Sequence, residues 1–183
     1  GDEAGTAITT GDTNTGVGYK ALALTTTGST NVGFGAYALQ RNTTAAYNTG
    51  VGYDVLGSNT TGDLNVAIGY EALGTNVAGD KSVAIGVQAL YAQNPSGNAD
   101  MYNTAVGYAA GTAVTTGINN TLIGGLAGDA QTTANHNTAV GKSALTNNTT
   151  GSTNTSVGTL SMSSNTTGGD NVAMGYNALL SNT

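Results

Sequence analysis

Small and apolar residues along this chain fall at fixed distances from a glycine that returns every 17 positions. The anchors are Gly18, Gly35, Gly52, Gly69, Gly86, Gly107, Gly124, Gly141, Gly158 and Gly175, with Gly1 in the same phase. Only the interval from 86 to 107 differs, at 21 residues. The position before each anchor (−1) is large or β-branched, as in Val17, Phe34, Ile68, Ile85 and Met174. Position −2 is mostly Gly or Ala, and −3 is Thr or Val throughout. Such period-two alternation predicts a short strand with one packed face and one close-approach face. The glycine then ends the strand, where a bend or a positive φ would exclude a side chain.

A second apolar pair follows at +3 and +4, for example Ala38–Leu39 and Ala72–Leu73, and then a polar stretch such as NTTG at Asn59, Asn148 and Asn165. Gly-Asp or Gly-Ser turns close many units, at Gly62–Asp63 and Gly151–Ser152 among others. The residues between glycines are too few, and their Asn/Thr flanks too poor at helix formation, for more than one helical turn per unit. Repeats of this kind bury their apolar faces by stacking. The pattern therefore predicts an all-β fold: a parallel β-solenoid (β-roll or β-helix) of about eleven 17-residue coils, one repeat domain over 1–183. At one strand spacing per coil the rod would be about 50 Å long.

Stacking also places like residues over one another. Asn14, Asn31, Asn48, Asn65, Asn103, Asn120, Asn137, Asn154 and Asn171 share position −4, with Ser82 in the remaining coil. They are expected to form a structural ladder of side-chain amides bonded up and down the rod. Each coil has only a Val or Ile, a Leu, two Ala and part of a Tyr to bury. The small residues at −2 and at the anchor suit close approach of neighbouring backbones. Both features point to an oligomer.

Composition narrows the function classes. Charged residues are 8% of the chain, so its surface must be built of Asn, Thr, Ser and Gly. The four cations, Lys20, Arg41, Lys81 and Lys142, are far apart in sequence, which excludes a basic nucleic-acid footprint. The net charge of −6 favours solubility. With no cysteine, neither disulfides nor thiolate metal sites hold the fold. Low charge with abundant Gly, Ser and Thr also suits disorder, but a disordered tract would not keep this register. No signal peptide or membrane-spanning apolar run is present. The chain opens on an anchor glycine whose preceding half-repeat is missing, so we expect a segment of a longer polypeptide.

KSVAIGVQAL (Lys81 to Leu90) and NVAIGYEAL (Asn65 to Leu73) resemble the head repeats of trimeric autotransporter adhesins. The NTAVGYxAL form, with its NTTG stretch, is similar to repeat tracts of phage tail fibres and other microbial surface fibres. The resemblance covers almost the whole chain and implies three chains in a left-handed parallel β-roll that attaches to surfaces. It departs from the adhesins in length, since their repeat is near 14 residues.

Sites are weighed on that frame. His136 is the only histidine and lacks partners for a triad or a metal site, so a solvated turn residue is expected. Asp12, Asp63, Asp80 and Asp170 lie in turns and suit local backbone bonds rather than calcium. No catalytic, cofactor-binding or metal residues are assigned. Tyr19, Tyr53, Tyr70, Tyr108 and Tyr176 share position +1, either covering the bend or stacking on carbohydrate. The +7/+9 pairs, such as Asn42/Thr44, Asn59/Thr61 and Asn148/Thr150, would form a surface Thr/Asn grid like that of an ice-binding solenoid if their segment were flat strand. The four extra residues fall within 91–102, where Tyr91, Asn94, Pro95, Asp100, Met101 and Tyr102 make a candidate binding loop.

The expected function is thus non-enzymatic and without cofactors: a structural or adhesive segment of an extracellular fibre, from a viral tail or a bacterial surface. Its main partner would be itself, as homotrimer or filament, with a cell-surface glycan or protein as a second, and neither nucleic acid nor membrane insertion. A monomeric ice-binding solenoid is the competing expectation.

Overall fold

The computed structural model describes residues 1–181, and among these there is no helix. The repeat strands are β1 (Thr15–Val17), β2 (Val32–Phe34), β3 (Thr49–Val51), β4 (Val66–Ile68), β6 (Val83–Ile85), β8 (Thr104–Val106), β9 (Thr121–Ile123), β10 (Thr138–Val140), β11 (Thr155–Val157) and β12 (Val172–Met174). They form one ten-stranded sheet in chain order, parallel throughout, so the chain is a parallel β-solenoid. Register advances by 17 residues per strand, as in Val66↔Val83, except across the insertion, where Val83 pairs with Thr104. Two short strands, β5 (Gly79–Asp80) before β6 and β7 (Ala99–Asp100) within the insertion segment, pair in parallel. Ten strands are joined by nine turns of the coil. The eleventh anchor, Gly1, has no strand of its own, but its turn stacks on the next: Lys20 N donates to Asp2 O at 3.0 Å and Gly5 N to Ala21 O at 3.0 Å.

The segment after each anchor is a run of tight turns in place of the single helical turn. Positions +2 and +4 are left-handed in coil after coil, as at Glu71 (φ 53°) and Leu73 (φ 51°). Alternating handedness points successive amides in alternate directions. Ala23 N bonds back to Lys20 O within its coil, whereas Leu22 N and Leu24 N donate to Ala38 O and Gln40 O of the next. Non-glycine residues adopt this region at a cost of about 1 kcal/mol each. Here the hydrogen bonds to neighbouring coils offset it, one across the stack for every left-handed leucine that keeps the pattern.

The anchor glycines meet two constraints together. Their φ values lie between 123° and 143°, and a Cβ on Gly69 would sit 2.6 Å from Gly86 O in the coil above. A side chain there would break the stack itself.

The faces of the strand differ from expectation. The small residues at −2 point inward, not toward another chain: Ala67, Ala84, Ala105 and Ala139 are buried against the Leu column of their own solenoid. The large residues at −1 point outward, with Phe34 55% and Met174 76% exposed. The interior is narrow and already filled by Leu22, Leu39, Leu56, Leu73, Leu90 and Leu145 at +4, so the facing wall has to be small.

One exchange shows that constraint. Leu122 replaces the usual Ala at −2, and Gly111 and Gly128 replace Leu at +4 in its own and the preceding coil. A Cβ on Gly111 would lie 2.6 Å from Leu122 Cδ1, and one on Gly128 would lie 2.8 Å from Leu122 Cδ2. One leucine thus occupies the volume that two supply elsewhere. Leu122→Ala should cost about 3 kcal/mol by opening a cavity. Gly128→Leu should recover at least 1 kcal/mol in that background while destabilising the native chain, a coupling read from denaturant midpoints of the double-mutant cycle. Additive effects would contradict the exchange.

Candidate functional site

The asparagine ladder forms, and its chemistry is specific. Asn48 Oδ1 accepts the Asn65 amide at 2.9 Å, and Asn48 Nδ2 donates to Gly62 O at 2.8 Å. The same pair of bonds recurs at the ladder asparagines from Asn14 to Asn154, and every ladder Asn between Asn14 and Asn171 is essentially buried. Each residue therefore satisfies one backbone donor above it and one carbonyl of its own coil.

A second ladder lies beside it and corrects the surface-grid expectation. The segment at +7 to +9 is turn, not flat strand, so its two polar residues do not share a face. Asn42, Asn59, Asn76, Asn148 and Asn165 are buried, while Thr27, Thr44 and Thr150 face outward. Asn59 Nδ2 bonds Asn42 Oδ1 at 3.2 Å and also Gly62 O at 2.9 Å. Gly62 O thus accepts from Asn48 and Asn59 together, and Ala45, Gly79, Gly151 and Gly168 carbonyls are shared in the same way.

Gln93 repairs the ladders where the insertion interrupts them. It reaches Asn76 Oδ1 (3.3 Å) and Ser82 Oγ (3.1 Å) through Nε2, and accepts from Asn103 Nδ2 (3.0 Å). Sequence reading missed Gln93, although it stands at +7 in line with the asparagines. Val114 and Gln131 take that position next, and Gln131 Nε2 is buried there without a partner.

The residues of the candidate loop do not converge on one cavity. Met101 is buried, and Asn94 is engaged with its neighbours: its amide donates to Thr115 O and its Oδ1 accepts from Val77 N. Tyr91 and Pro95 are half-buried. Asn98 ties the loop back to Thr61, whose hydroxyl donates to Asn98 Oδ1 at 2.9 Å. Asp100 and Tyr102 join Lys81 in a surface clip. Lys81 Nζ lies 2.7 Å from Asp100 Oδ2 and 3.3 Å from Tyr102 Oη, and Tyr102 Oη donates to Asp100 at 2.9 Å.

His136 is exposed at a left-handed turn (φ 57°), and its side chain makes no hydrogen bond among the described residues. Asp63 and Asp80 accept the amides of Ala46 and Asp63, each at 2.7 Å, and so cap turns of the preceding coil. Among the described residues no three His, Cys, Asp or Glu side chains gather as metal ligands. Among the described residues no helix is long and apolar enough to cross a membrane.

Four of the tyrosines make a continuous row. Ring centroids are 5.3 Å apart for Tyr19–Tyr37, 5.5 Å for Tyr37–Tyr53 and 5.6 Å for Tyr53–Tyr70, the last pair lying nearly parallel at 9°. The +1 column alone misses Tyr37, which stands at +2 because Ala36 takes the usual place. Beside the row lies an open cavity of about 240 Å³ between Tyr37, Gln40, Arg41, Tyr53, Asp54 and Ser58. Burial raises the Asp54 pKa above the usual carboxylate value, Glu71 adds to the shift, and Arg41 opposes it. Tyr108 and Tyr176 stand exposed outside this row.

Compared with known proteins, the chain matches no family model, no curated protein and no solved structure.

The surface clip makes a pH-dependent prediction. The Lys81 hydrogen bond, helped by that of Tyr102, holds Asp100 below the usual carboxylate value. A depressed carboxylate contributes its stability at neutral pH and loses it as pH falls through the folded value. An NMR titration of the Asp100 carboxyl should therefore show a midpoint below that of an ordinary aspartate, returning toward it in Lys81→Met. An ordinary midpoint in the native chain would contradict the clip.

Proposed function

We propose that this chain is a non-catalytic segment of an extracellular fibre, a viral tail fibre or bacterial surface filament, in which several copies associate along their strand faces. The observation that carries the reading is the outward side of the ten-stranded sheet. Positions −3 and −1 present two parallel columns of Thr/Val and Val/Ile, including Val32, Phe34, Ile68, Ile85 and Ile123, all more than a third exposed. Ten strands make a face about 43 Å long at one strand spacing per step. The −1 column is apolar at every strand, and exposed apolar stripes of this extent mark interaction surfaces.

The occupant best suited to it is the same chain. Only a surface with the same period per coil can match the columns at every step without losing register. Three copies is the number that the likeness to adhesin head repeats implies. In such an assembly the −1 side chains would supply the burial that a single coil lacks. The rod would serve as a shaft or as an attachment surface.

An ice-binding monomer is the second reading. Burial of the +7 asparagines removes half of the array it would use, and a monomer would leave the apolar columns in water.

Light scattering of the native protein should give a mass of three chains. Ile68→Asp with Ile85→Asp should reduce it toward one, with the β-rich circular dichroism retained, because both side chains point away from the solenoid interior. A single-chain mass for the native protein would overturn the association, and thermal hysteresis in that sample would favour ice binding.

A further inference from the structure

Many polar side chains of the solenoid are occupied by the coil above or below, as in the asparagine ladders and the threonine hydroxyls that donate across coils (Thr43 Oγ1 to Thr60 O, 3.1 Å). In the cavity beside the tyrosine row several polar side chains stand together without such partners. Gln40, Arg41, Asp54 and Ser58 line it, and none makes a hydrogen bond through its side chain within the described residues. Arg41 is the only arginine in the chain. Tyr53 and Tyr70 are nearly half exposed, at 48% and 46%, so ring area is open to a ligand.

These features restrict the ligand. Exposed rings beside unpaired donors and acceptors suit a molecule that is apolar on its faces and polar at its edge. One guanidinium and one carboxylate leave the cavity without net charge. Glu71 nearby opposes an anion, and Arg41 opposes a cation. A fork of guanidinium donors and a carboxylate with free lone pairs suits vicinal hydroxyl groups, which both donate and accept. At about 240 Å³ the space admits one sugar ring, and the row of rings continues past it on both sides.

We propose that this cavity binds a neutral pyranose unit of an oligosaccharide. The sugar ring lies against Tyr37 and Tyr53, and its hydroxyls meet Arg41, Asp54 and Gln40. Further units extend along the row toward Tyr19 or Tyr70. This deepens the fibre reading, on which it rests for its setting, by supplying an attachment chemistry.

The test is saturation-transfer and protein-detected NMR of the native assembly with methyl glycosides of glucose, galactose, mannose and N-acetylglucosamine, with sialic acid and choline as charged probes. At least one neutral glycoside should bind with a Kd on the order of 1 mM. Tyr53→Ala and Arg41→Ala should each weaken it at least tenfold, Tyr53→Phe should retain it within a few-fold, and Tyr108→Ala should leave it unchanged. Lack of binding by every neutral glycoside, binding of the charged probes alone, or binding indifferent to Tyr53→Ala and Arg41→Ala would overturn the site. A three-chain mass without sugar binding overturns this site and leaves the fibre reading. Sugar binding by a single-chain solenoid supports the site and overturns the assembly.

Discussion

Everything in this solenoid depends on keeping each residue one strand spacing above its counterpart 17 positions earlier, and buried amide side chains enforce that spacing. A three-residue strand supplies too few ladder bonds to hold a coil in register by itself. The asparagines at −4 and +7 add bonds on the far side of the turn, where the backbone is irregular and its groups would otherwise be buried without partners. Both converge on one carbonyl per coil, such as Gly62 O, so two segments of the coil are fixed to one point. An apolar residue at −4 would orphan the amide of the next coil, which costs about 1–3 kcal/mol, whereas +7 admits Val114 because Asn103 alone holds the Gly117 carbonyl there. The same spacing demands the anchor glycines, because consecutive anchors approach closer than a Cβ allows.

Once the register is set, the interior has almost no freedom. Leucine on one wall requires glycine or alanine on the other, and where leucine crosses over at Leu122 the opposing wall becomes Gly111 and Gly128. The bulky residues at −1 are consequently expelled to the outer face of the sheet. A sheet that carries an unbroken apolar column on its outside is a poor end state for a single chain in water. The inner packing that makes each coil self-consistent thus creates the surface through which copies would meet.

This also explains what was legible in the sequence. The solenoid, its strands and the −4 ladder announce themselves because each repeats one residue type at one spacing. Which strand face is inside does not follow from alternation: size ordinarily marks the core, and here the bulky face is the outer one. The +7 asparagines resembled a surface grid because Asn beside Thr in an uncharged segment reads as solvated. Their burial could have been inferred from that column's freedom from charge and from Gln93 and Gln131 standing in it. Tyr37 escaped notice because it is displaced by one position, yet that displacement closes the aromatic row. The loop at 91–102 was marked by its length, but length does not reveal that Met101 turns inward and Asn98 ties back to Thr61.

The most direct test of the central claim is site-resolved amide hydrogen exchange in Asn48→Leu, a change of similar volume that removes both ladder bonds. If the ladder holds the register, the Asn65 amide should lose about two orders of magnitude in protection, equivalent to about 3 kcal/mol, with the loss centred on the adjoining coils. Unchanged protection at Asn65 would contradict it and would assign the register to the strands alone.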